Sequence, residues 1–228
     1  MAKLAVIAVG GNSLIKDDKN VSVEDQMVAL QETAHHIADM IEAGWDLAIG
    51  HGNGPQVGFI LRRSEIAAKA EGMHEVPLDV CGADSQGAIG YEFQQALQNE
   101  YHRRGLKKGA ATVITQMLVD QKDAAFQKPT KPIGSFMDEA EAQHRAKDMG
   151  WSVVEDAGRG WRRVVPSPMP KRIVELESVK LLLNAGVTVI TVGGGGIPVI
   201  DKGDGEFEGT AAVIDKDFAS SLLAQEIG

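Results

Sequence analysis

Three clusters of glycine follow short apolar stretches and could bind an anion through the peptide backbone. They are VGGN at 9–12, GHGNG at 50–54 and GGGG at 193–196. If the apolar stretches are strands of one parallel sheet, their carboxyl ends share an edge, where glycine lets N–H groups approach an anion and a following helix adds a favourable dipole. One such cluster is more often only a tight turn, but three at one edge indicate a binding site, and the expected ligand is a phosphate.

The usual nucleotide-binding signatures do not occur in the sequence. No glycine directly precedes a lysine, which excludes a Walker A motif, and no G-x-G-x-x-G follows a predicted strand. A P-loop or nicotinamide enzyme is therefore disfavoured. The remaining interpretation is phosphoryl transfer supported by backbone amides and lysines, because its loose transition state chiefly needs alignment and charge stabilisation.

Two lysines are candidates for that positive charge. Lys131 lies between Pro129 and Pro132, which stiffen the loop that presents it. Lys216 lies within DKD, ahead of an apolar helical stretch. On the sequence alone, a role in phosphoryl transfer and a role without function both stay open for these residues. A loop lysine is most often merely solvated, and an aspartate at a helix start, such as Asp217, is often only a cap.

The spacing of apolar residues predicts an α/β fold with a mainly parallel sheet. Short β-branched runs alternate with longer stretches of helical period, as in strands joined by crossover helices. The predicted strands are 4–9, 46–50, 111–119 and 187–192, and the predicted helices are 23–43, 55–71, 85–104 and 171–186. Ser22 with Asp25 three residues later is typical of a capped helix start, and Gly44 ends the first helical pattern.

The regular alternation stops between Lys122 and Pro170. This range contains five prolines and several charges, and it shows no sustained helical or strand period. We therefore predict an inserted, protruding subdomain at 122–170 within a core domain formed by 1–121 and 171–228.

Composition limits the possible partners and compartments. The formal net charge of −9 disfavours nucleic acid as a partner, because a binder of the phosphate backbone usually carries a basic face. The single cysteine, Cys81, excludes an internal disulfide framework and a multi-cysteine zinc site, and it fits a reducing, cytoplasmic setting. The sequence contains no run of about 18 apolar residues, so we expect no membrane span.

Eight segments, in this order along the chain, closely resemble the carbamate kinase family of the amino-acid kinase superfamily. They are AVGGNSL, HGNGPQVG, PLDVCGADSQGAIGY, TQMLVD, KPTKPIG, GRGWRRVVPSP, GGGGIPV and VIDKDFASSLLA. The resemblance implies a three-layer αβα sandwich and reversible phosphoryl transfer between ATP and carbamate, ATP + NH3 + CO2 = ADP + carbamoyl phosphate. It further implies a homodimer that uses ATP or ADP with Mg²⁺.

The resemblance also implies roles for individual residues. Lys131 and Lys216 would be catalytic through their positive charge, and Asp217 would organise the lysines by hydrogen bonding. The residues that would bind substrate or phosphate are Gly10, Gly11, Asn12, Gly52, Asn53, Arg159, Gly194 and Gly195. Arg162 and Arg163 compete with Arg159 for that role, and no residue is assigned as a metal ligand.

Two alternatives stay open. One is a related amino-acid kinase that phosphorylates an acyl carboxylate or a nucleotide, although PTKPIG and HGNGPQVG speak against it. The other is a non-catalytic module for anion binding or dimerisation. The family continues past the DKD helix with the elements that seat the purine, whereas this chain stops at QEIG. We therefore expect a truncated form that binds carbamoyl phosphate or sulfate weakly without making ATP at an appreciable rate.

Overall fold

The computed structural model describes residues 3–10, 14 and 22–228. Its strands are β1 (Lys3–Val9), β2 (Trp45–His51), β3 (Ala110–Thr112), β4 (Gln116–Val119), β5 (Lys131–Met137), β6 (Ser152–Glu155), β7 (Trp161–Val165), β8 (Pro170–Ile173), β9 (Thr188–Ile190), β10 (Ile197–Asp201) and β11 (Phe207–Gly209). Its helices are α1 (Val23–Glu42), α2 (Gly54–Glu71), α3 (Leu78–Arg104), α4 (Glu139–Met149), α5 (Leu176–Asn184) and α6 (Lys216–Ile227). The predicted α/β class is confirmed.

The main sheet has the spatial order β1-β2-β9-β3, and its pairs are all parallel. β1 and β2 pair along their whole length, from Lys3 opposite Trp45 to Val9 opposite His51. The two strands therefore end side by side, and the N–H of Gly52 donates to the carbonyl oxygen of Val9 at 2.9 Å. The carboxyl ends of these strands form the edge at which the glycine clusters were expected.

Helices cover both faces of the main sheet, because successive side chains of a strand point to opposite faces. On one face, Leu47 and Ile49 pack with side chains of α1 and α3 that include Leu30 and Phe93. On the other face, Ala48 packs with apolar side chains of α5 and α6. The arrangement is the expected three-layer αβα sandwich.

A second sheet has the order β11-β10-β4-β8, with β4 and β10 parallel and the two outer strands antiparallel to their neighbours. The prediction of one strand at 111–119 was wrong, because the chain leaves the main sheet after Thr112 and enters the second sheet at Gln116. The prediction of one helix at 171–186 was also wrong at its start, where β8 pairs with β4 before α5 begins. Short strands next to helices share their apolar residues, so periodicity alone merged these elements.

A third sheet, which we call the three-stranded sheet, has the antiparallel order β5-β7-β6 and is accompanied by α4. It lies within 122–170, where the sequence showed no sustained period, because its strands are only four to seven residues long. An apolar cluster that includes Val57, Leu61, Ile133 and Val165 packs it against α2. We propose 122–170 as the boundaries of an inserted subdomain around this sheet.

The helix ends show which local signals were reliable. The capping box of Ser22 and Asp25 is present at the start of α1, as predicted. By contrast, α3 begins at Leu78, seven residues before the predicted start, because the buried Leu78 and Cys81 extend its packed face back to Pro77. In the described part of the chain, no helix is long and apolar enough to traverse a lipid bilayer.

Candidate active site

A cleft of about 330 Å³ opens at the carboxyl edge of the main sheet, against β5 of the three-stranded sheet. Three basic and two acidic side chains line it together with backbone from two glycine clusters. The lining residues are Gly52, Asn53, Val57, Lys131, Pro132, Ile133, Arg162, Gly194, Val213, Ile214, Asp215, Lys216 and Asp217. The cleft thus combines exposed backbone with concentrated charge, which suits a small anion.

Two glycine loops line the cleft. The first of them, residues 50–54, joins β2 to α2 and brings Gly52 and Asn53 to the cleft. Asn53 occupies the N-cap position of α2, but its side chain makes no capping hydrogen bond. Its Nδ2 instead donates to Ser85 Oγ at 3.2 Å. The start of a helix presents free N–H groups and the positive end of the helix dipole, so this loop favours an anion.

The last glycine loop, residues 192–196, connects β9 to β10. Gly194, Gly195 and Gly196 all have positive φ, a conformation that glycine adopts without strain. Gly194 lines the cleft, and a Cβ there would lie 2.7 Å from Asn53 Cγ. Gly195 does not line the cleft, and a Cβ there would meet the backbone of Ile214, so its smallness serves the packing of the loop.

Two lysines reach the cleft from different parts of the fold, each beside an aspartate. Lys131 Nζ of β5 lies 2.8 Å from Asp215 Oδ2, and Lys216 Nζ at the start of α6 lies 2.6 Å from Asp217 Oδ1. The hydrogen bond from Lys131 keeps the pKa of Asp215 below its ordinary value, assisted by the N–H of Asp217. Asp215 is also the N-cap of α6, so it ties Lys131 to the helix that carries Lys216.

Only one of the three candidate arginines lies in the cleft. Arg162 lines it, donates from Nη2 to the carbonyl oxygen of Gly134 at 3.0 Å, and has a buried Nε without a hydrogen-bond partner. Burial lowers the pKa of its guanidinium. Arg159 instead pairs with Asp156 at 2.8 Å on an exposed turn, and Arg163 stacks on Trp151 at 4.3 Å. The structure therefore does not bring Arg159 to the site, because Arg159 lies in the turn before β7 and pairs with Asp156 there. Arg162 and Arg163 are consecutive residues of β7 and point to opposite faces.

A buried histidine contacts both glycine loops. His51 is 1% exposed, and its Nδ1 lies 2.8 Å from the carbonyl oxygen of Gly52. A Cβ at Gly193 would lie 2.6 Å from His51 Cε1, so the ring fills the space directly under the last glycine loop. Burial lowers the pKa of His51 to about 4, and the imidazole is neutral at neutral pH.

The other expected residues divide into those beside the cleft and those outside the described residues. Gly10 directly follows Val9, whose carbonyl binds Gly52, and therefore lies beside the first glycine loop. Gly11 and Asn12 lie outside the described residues.

Asp215 was missed by sequence reasoning, which assigned the organising role to Asp217, although the DKD motif offered an aspartate on either side of Lys216.

Metal binding by protein side chains alone is not a feature of the described residues, where no three His, Cys, Asp or Glu side chains gather closely enough to hold an ion. The carboxylates in the cleft are Asp215 and Asp217, and each is engaged by a lysine. A divalent cation here would need further oxygen ligands from a bound phosphate.

Comparison with known proteins agrees with this geometry. The profile of the amino acid kinase family matches residues 3–228. The carbamate kinase of Pyrococcus horikoshii is 51% identical over 227 residues, which are 100% of this chain and 72% of that protein. The carbamate kinase-like protein YahI of Escherichia coli is 50% identical over 228 residues, 100% of this chain and 72% of its own length.

A solved structure extends the match to three dimensions. The carbamate kinase from Giardia lamblia bound to AMP-PNP superposes with a TM-score of 0.90 and 43% identity, over 99% of this chain and 71% of that one. Sequence and fold thus agree over nearly every residue of the chain. The chain belongs to the amino acid kinase family and, within it, to the carbamate kinases.

Proposed function

We propose that this protein transfers a phosphoryl group reversibly between ATP and carbamate, ATP + NH3 + CO2 = ADP + carbamoyl phosphate. The expected weak turnover of the 228 residues by themselves stays a prediction. The observation that carries the proposal is the cleft in which the backbone of Gly52 and Gly194 lies with the ammonium groups of Lys131 and Lys216. Oriented N–H groups and fixed cations are what a loose phosphoryl transition state requires, because they stabilise the charge that spreads over its oxygens. The family membership supports carbamate as the acceptor.

In the direction of ATP synthesis, an oxygen of the ADP β-phosphate attacks the phosphorus of carbamoyl phosphate. The bond between phosphorus and the carbamate oxygen breaks, and carbamate leaves to decompose into ammonia and carbon dioxide. Lys131 retains ammonium hydrogens beyond the one it gives to Asp215 and can donate them to the transferring group. Lys216 supplies the second charge, while Asp215 and Asp217 each accept a hydrogen bond from one of the two lysines and so orient it.

Arg162 is the arginine that we propose for contact with substrate. Its guanidinium lines the cleft, and one of its nitrogens is buried without a partner. A buried N–H without a hydrogen bond is costly, so an oxygen of the substrate that accepts from Arg162 would be favoured. Gly10, Gly11 and Asn12 belong to the same proposal through their position after β1.

Mg²⁺ fits the cleft as a companion of the nucleotide. Magnesium usually takes one or two carboxylates and completes its shell with phosphate oxygens and water. Asp217, whose side chain is 70% exposed, is the more accessible of the two carboxylates and is the residue that we propose to hold the ion. When bound, the ion would neutralise part of the phosphate charge.

We further propose that the protein works as a homodimer in the cytoplasm. The family resemblance supports the dimer, and the single cysteine suits a reducing compartment. The dimer predicts a particle of twice the mass of one chain, and sedimentation of the purified protein measures that mass.

The experiment that tests the function is ATP formation from ADP and carbamoyl phosphate by the purified full-length protein. A coupled reduction of NADP measures the ATP. Acetyl phosphate is the matched control, since it offers the same phosphate on an acyl group without the amide. We expect ATP from carbamoyl phosphate and little from acetyl phosphate. Equal rates would favour a broader acyl-phosphate kinase, and no ATP from carbamoyl phosphate would contradict the proposal.

A further inference from the structure

Helix α3 carries two adjacent polar residues that are fully enclosed close to the cleft without lining it. Ser85 is 0% exposed and Gln86 is 2% exposed. Buried polar side chains are costly unless their hydrogen bonds are satisfied, so their partners show what such residues hold in place. Here the partners belong to both glycine loops of the cleft.

Ser85 fixes the side chain of Asn53. Its hydroxyl donates to the carbonyl oxygen of Gly82 at 2.7 Å, so the lone pairs of Oγ are left to accept from Asn53 Nδ2 at 3.2 Å. The amide nitrogen of Asn53 is thereby turned toward α3, and the amide lies directly against Gly194. The hydrogen bond explains why Asn53, a residue type that normally caps a helix, does not cap α2.

Gln86 joins two other segments of backbone. Its Nε2 donates to the carbonyl oxygen of Gly193 at 2.9 Å and to that of Thr115 at 3.1 Å. Its Oε1 accepts from the N–H of Thr115 at 2.8 Å. The hydroxyl of Thr115 in turn accepts from the N–H of Val192 at 3.1 Å. One side chain and its partner therefore hold the first two residues of the last glycine loop.

The backbone at that point is strained and needs such support. Val192 has φ 45° and ψ 32°, the left-handed region, which a β-branched residue rarely adopts. A conformation of this kind persists only where the surroundings hold it in place, and it is found most often at functional sites. The bonds from Gln86 and Thr115 lie on either side of the peptide that follows Val192.

We propose that Ser85 and Gln86 are positioning residues that hold Asn53 and the last glycine loop in one fixed arrangement, so that both face the transferring phosphate. The inference rests on the proposed function. Neither side chain lines the cleft, and each acts through another residue: Ser85 through Asn53, and Gln86 through Gly193 and Thr115.

A double-mutant cycle tests the role of Ser85. Ser85→Ala removes one oxygen from a helix, introduces no clash and favours the helix, so the protein should fold. We expect kcat to fall about tenfold because Asn53 loses its fixed orientation. In an Asn53→Ala background the same change should alter kcat by less than about twofold, since its target is gone. A tenfold loss in both backgrounds would overturn the inference for Ser85.

Amide hydrogen exchange tests the role of Gln86 without any need for turnover. Gln86→Met keeps the volume but removes the three hydrogen bonds, and Gln94→Met is the matched control on the same helix. Gln94 accepts from the N–H of Thr112 at 2.9 Å and has no bond to the glycine loop. We expect exchange in 192–196 to rise about tenfold in Gln86→Met, because the strained loop opens locally, with no rise in Gln94→Met.

The outcomes separate the two proposals. An equal rise in both glutamine variants, or none in Gln86→Met, would overturn the inference for Gln86. If Gln86→Met does not fold, exchange in 192–196 is measured in Ser85→Ala, where the freed Asn53 should raise it about threefold, and unchanged exchange would count against the inference. Absence of ATP formation by the unmodified protein would contradict the proposed function, whereas the exchange results would still decide whether these residues hold the loop.

Discussion

The two sides of the cleft are built in different ways. On the side of the main sheet, the glycine loops offer backbone that is fixed from behind by enclosed groups, among them His51 and Gln86. On the other side, the three-stranded sheet offers long charged side chains, Lys131 and Arg162, from short strands. The main sheet thus determines where an anion sits, and the three-stranded sheet supplies much of the charge that meets it.

The contacts between the two sides show how they are kept in register. An apolar cluster joins α2 to the three-stranded sheet, and a Cβ at Gly58 would lie 2.7 Å from Gly134 Cα, so the two backbones nearly touch. The ion pair of Lys131 with Asp215 also joins the three-stranded sheet to the start of α6. Substitutions on the side-chain side should therefore reduce chemistry with little loss of stability, whereas changes to the loops should affect both.

The largest expected effect is that of Lys131→Ala. We expect kcat to fall at least about a hundredfold with a melting temperature close to that of the unmodified protein, because the change removes charge stabilisation from the transition state and no packed core atoms. Lys128→Ala, an exposed lysine three residues earlier, is the matched control and should retain normal turnover. Near-normal turnover of Lys131→Ala in the coupled assay would show that the charge of Lys131 does not stabilise the transition state.

A smaller loss is expected from Gly194→Ala on the opposite side. The new Cβ would collide with the Asn53 amide at a residue with φ 62°, so we expect kcat to fall roughly tenfold to thirtyfold together with a drop in melting temperature. Gly203→Ala is the control, since Gly203 has φ 99° but no atom lies within 4 Å of an added Cβ. If both variants lose stability and neither loses turnover, the last glycine loop does not shape the site.

The arginines of the three-stranded sheet provide a paired comparison within one side. Arg162→Ala should raise KM for carbamoyl phosphate about tenfold, because a partly buried guanidinium in the cleft loses its contact with the substrate. Arg159→Ala should leave KM within about twofold, since that side chain pairs with Asp156 on the surface. The reverse order of effects would restore the assignment that the sequence suggested.

The protonation of His51, which contacts both glycine loops, should have the least effect on turnover at neutral pH. It should nevertheless have a measurable effect on stability at lower pH. The unfolded chain binds a proton at His51 near its ordinary pKa of 6.5, whereas the folded chain does so only near 4. The unfolded state therefore gains protons first, and the free energy of unfolding should fall by about 3 kcal/mol as the pH falls from 6.5 to 4. Urea unfolding across this range measures it.

A matched pair of variants isolates the contribution of His51. His51→Gln should flatten the decline between pH 6.5 and 4, while His36→Gln, on an exposed histidine, should leave it unchanged. Equal slopes in the two variants would show that other groups cause the decline.

Much of the main-sheet side could be predicted from the sequence because its signals are local. Glycines after β-branched runs, the capping box of Ser22 and Asp25, and the DKD segment each occupy consecutive or nearly consecutive residues. The parallel register of β1 and β2 then brings separate clusters to one edge without further information.

On the other side the sequence indicated Lys131 as a candidate but not the geometry, because that geometry depends on contacts distant in sequence. The strands of the three-stranded sheet are too short to show a period, and which of the arginines reaches the cleft depends on where the turn after β6 ends and on which face of β7 carries Arg162. The pairing of Lys131 with Asp215 joins residues 84 positions apart, so no spacing rule could have selected Asp215 over Asp217.

The most direct test of the central claim is a crystal structure of the protein with carbamoyl phosphate bound. We expect the phosphate to lie against the backbone of Gly52 and Gly194 and to accept a hydrogen bond from Lys131 Nζ, with Arg162 beside the carbamoyl group. A phosphate bound elsewhere, or one bound in the cleft more than about 5 Å from Lys131 Nζ, would contradict a site assembled from these two sides.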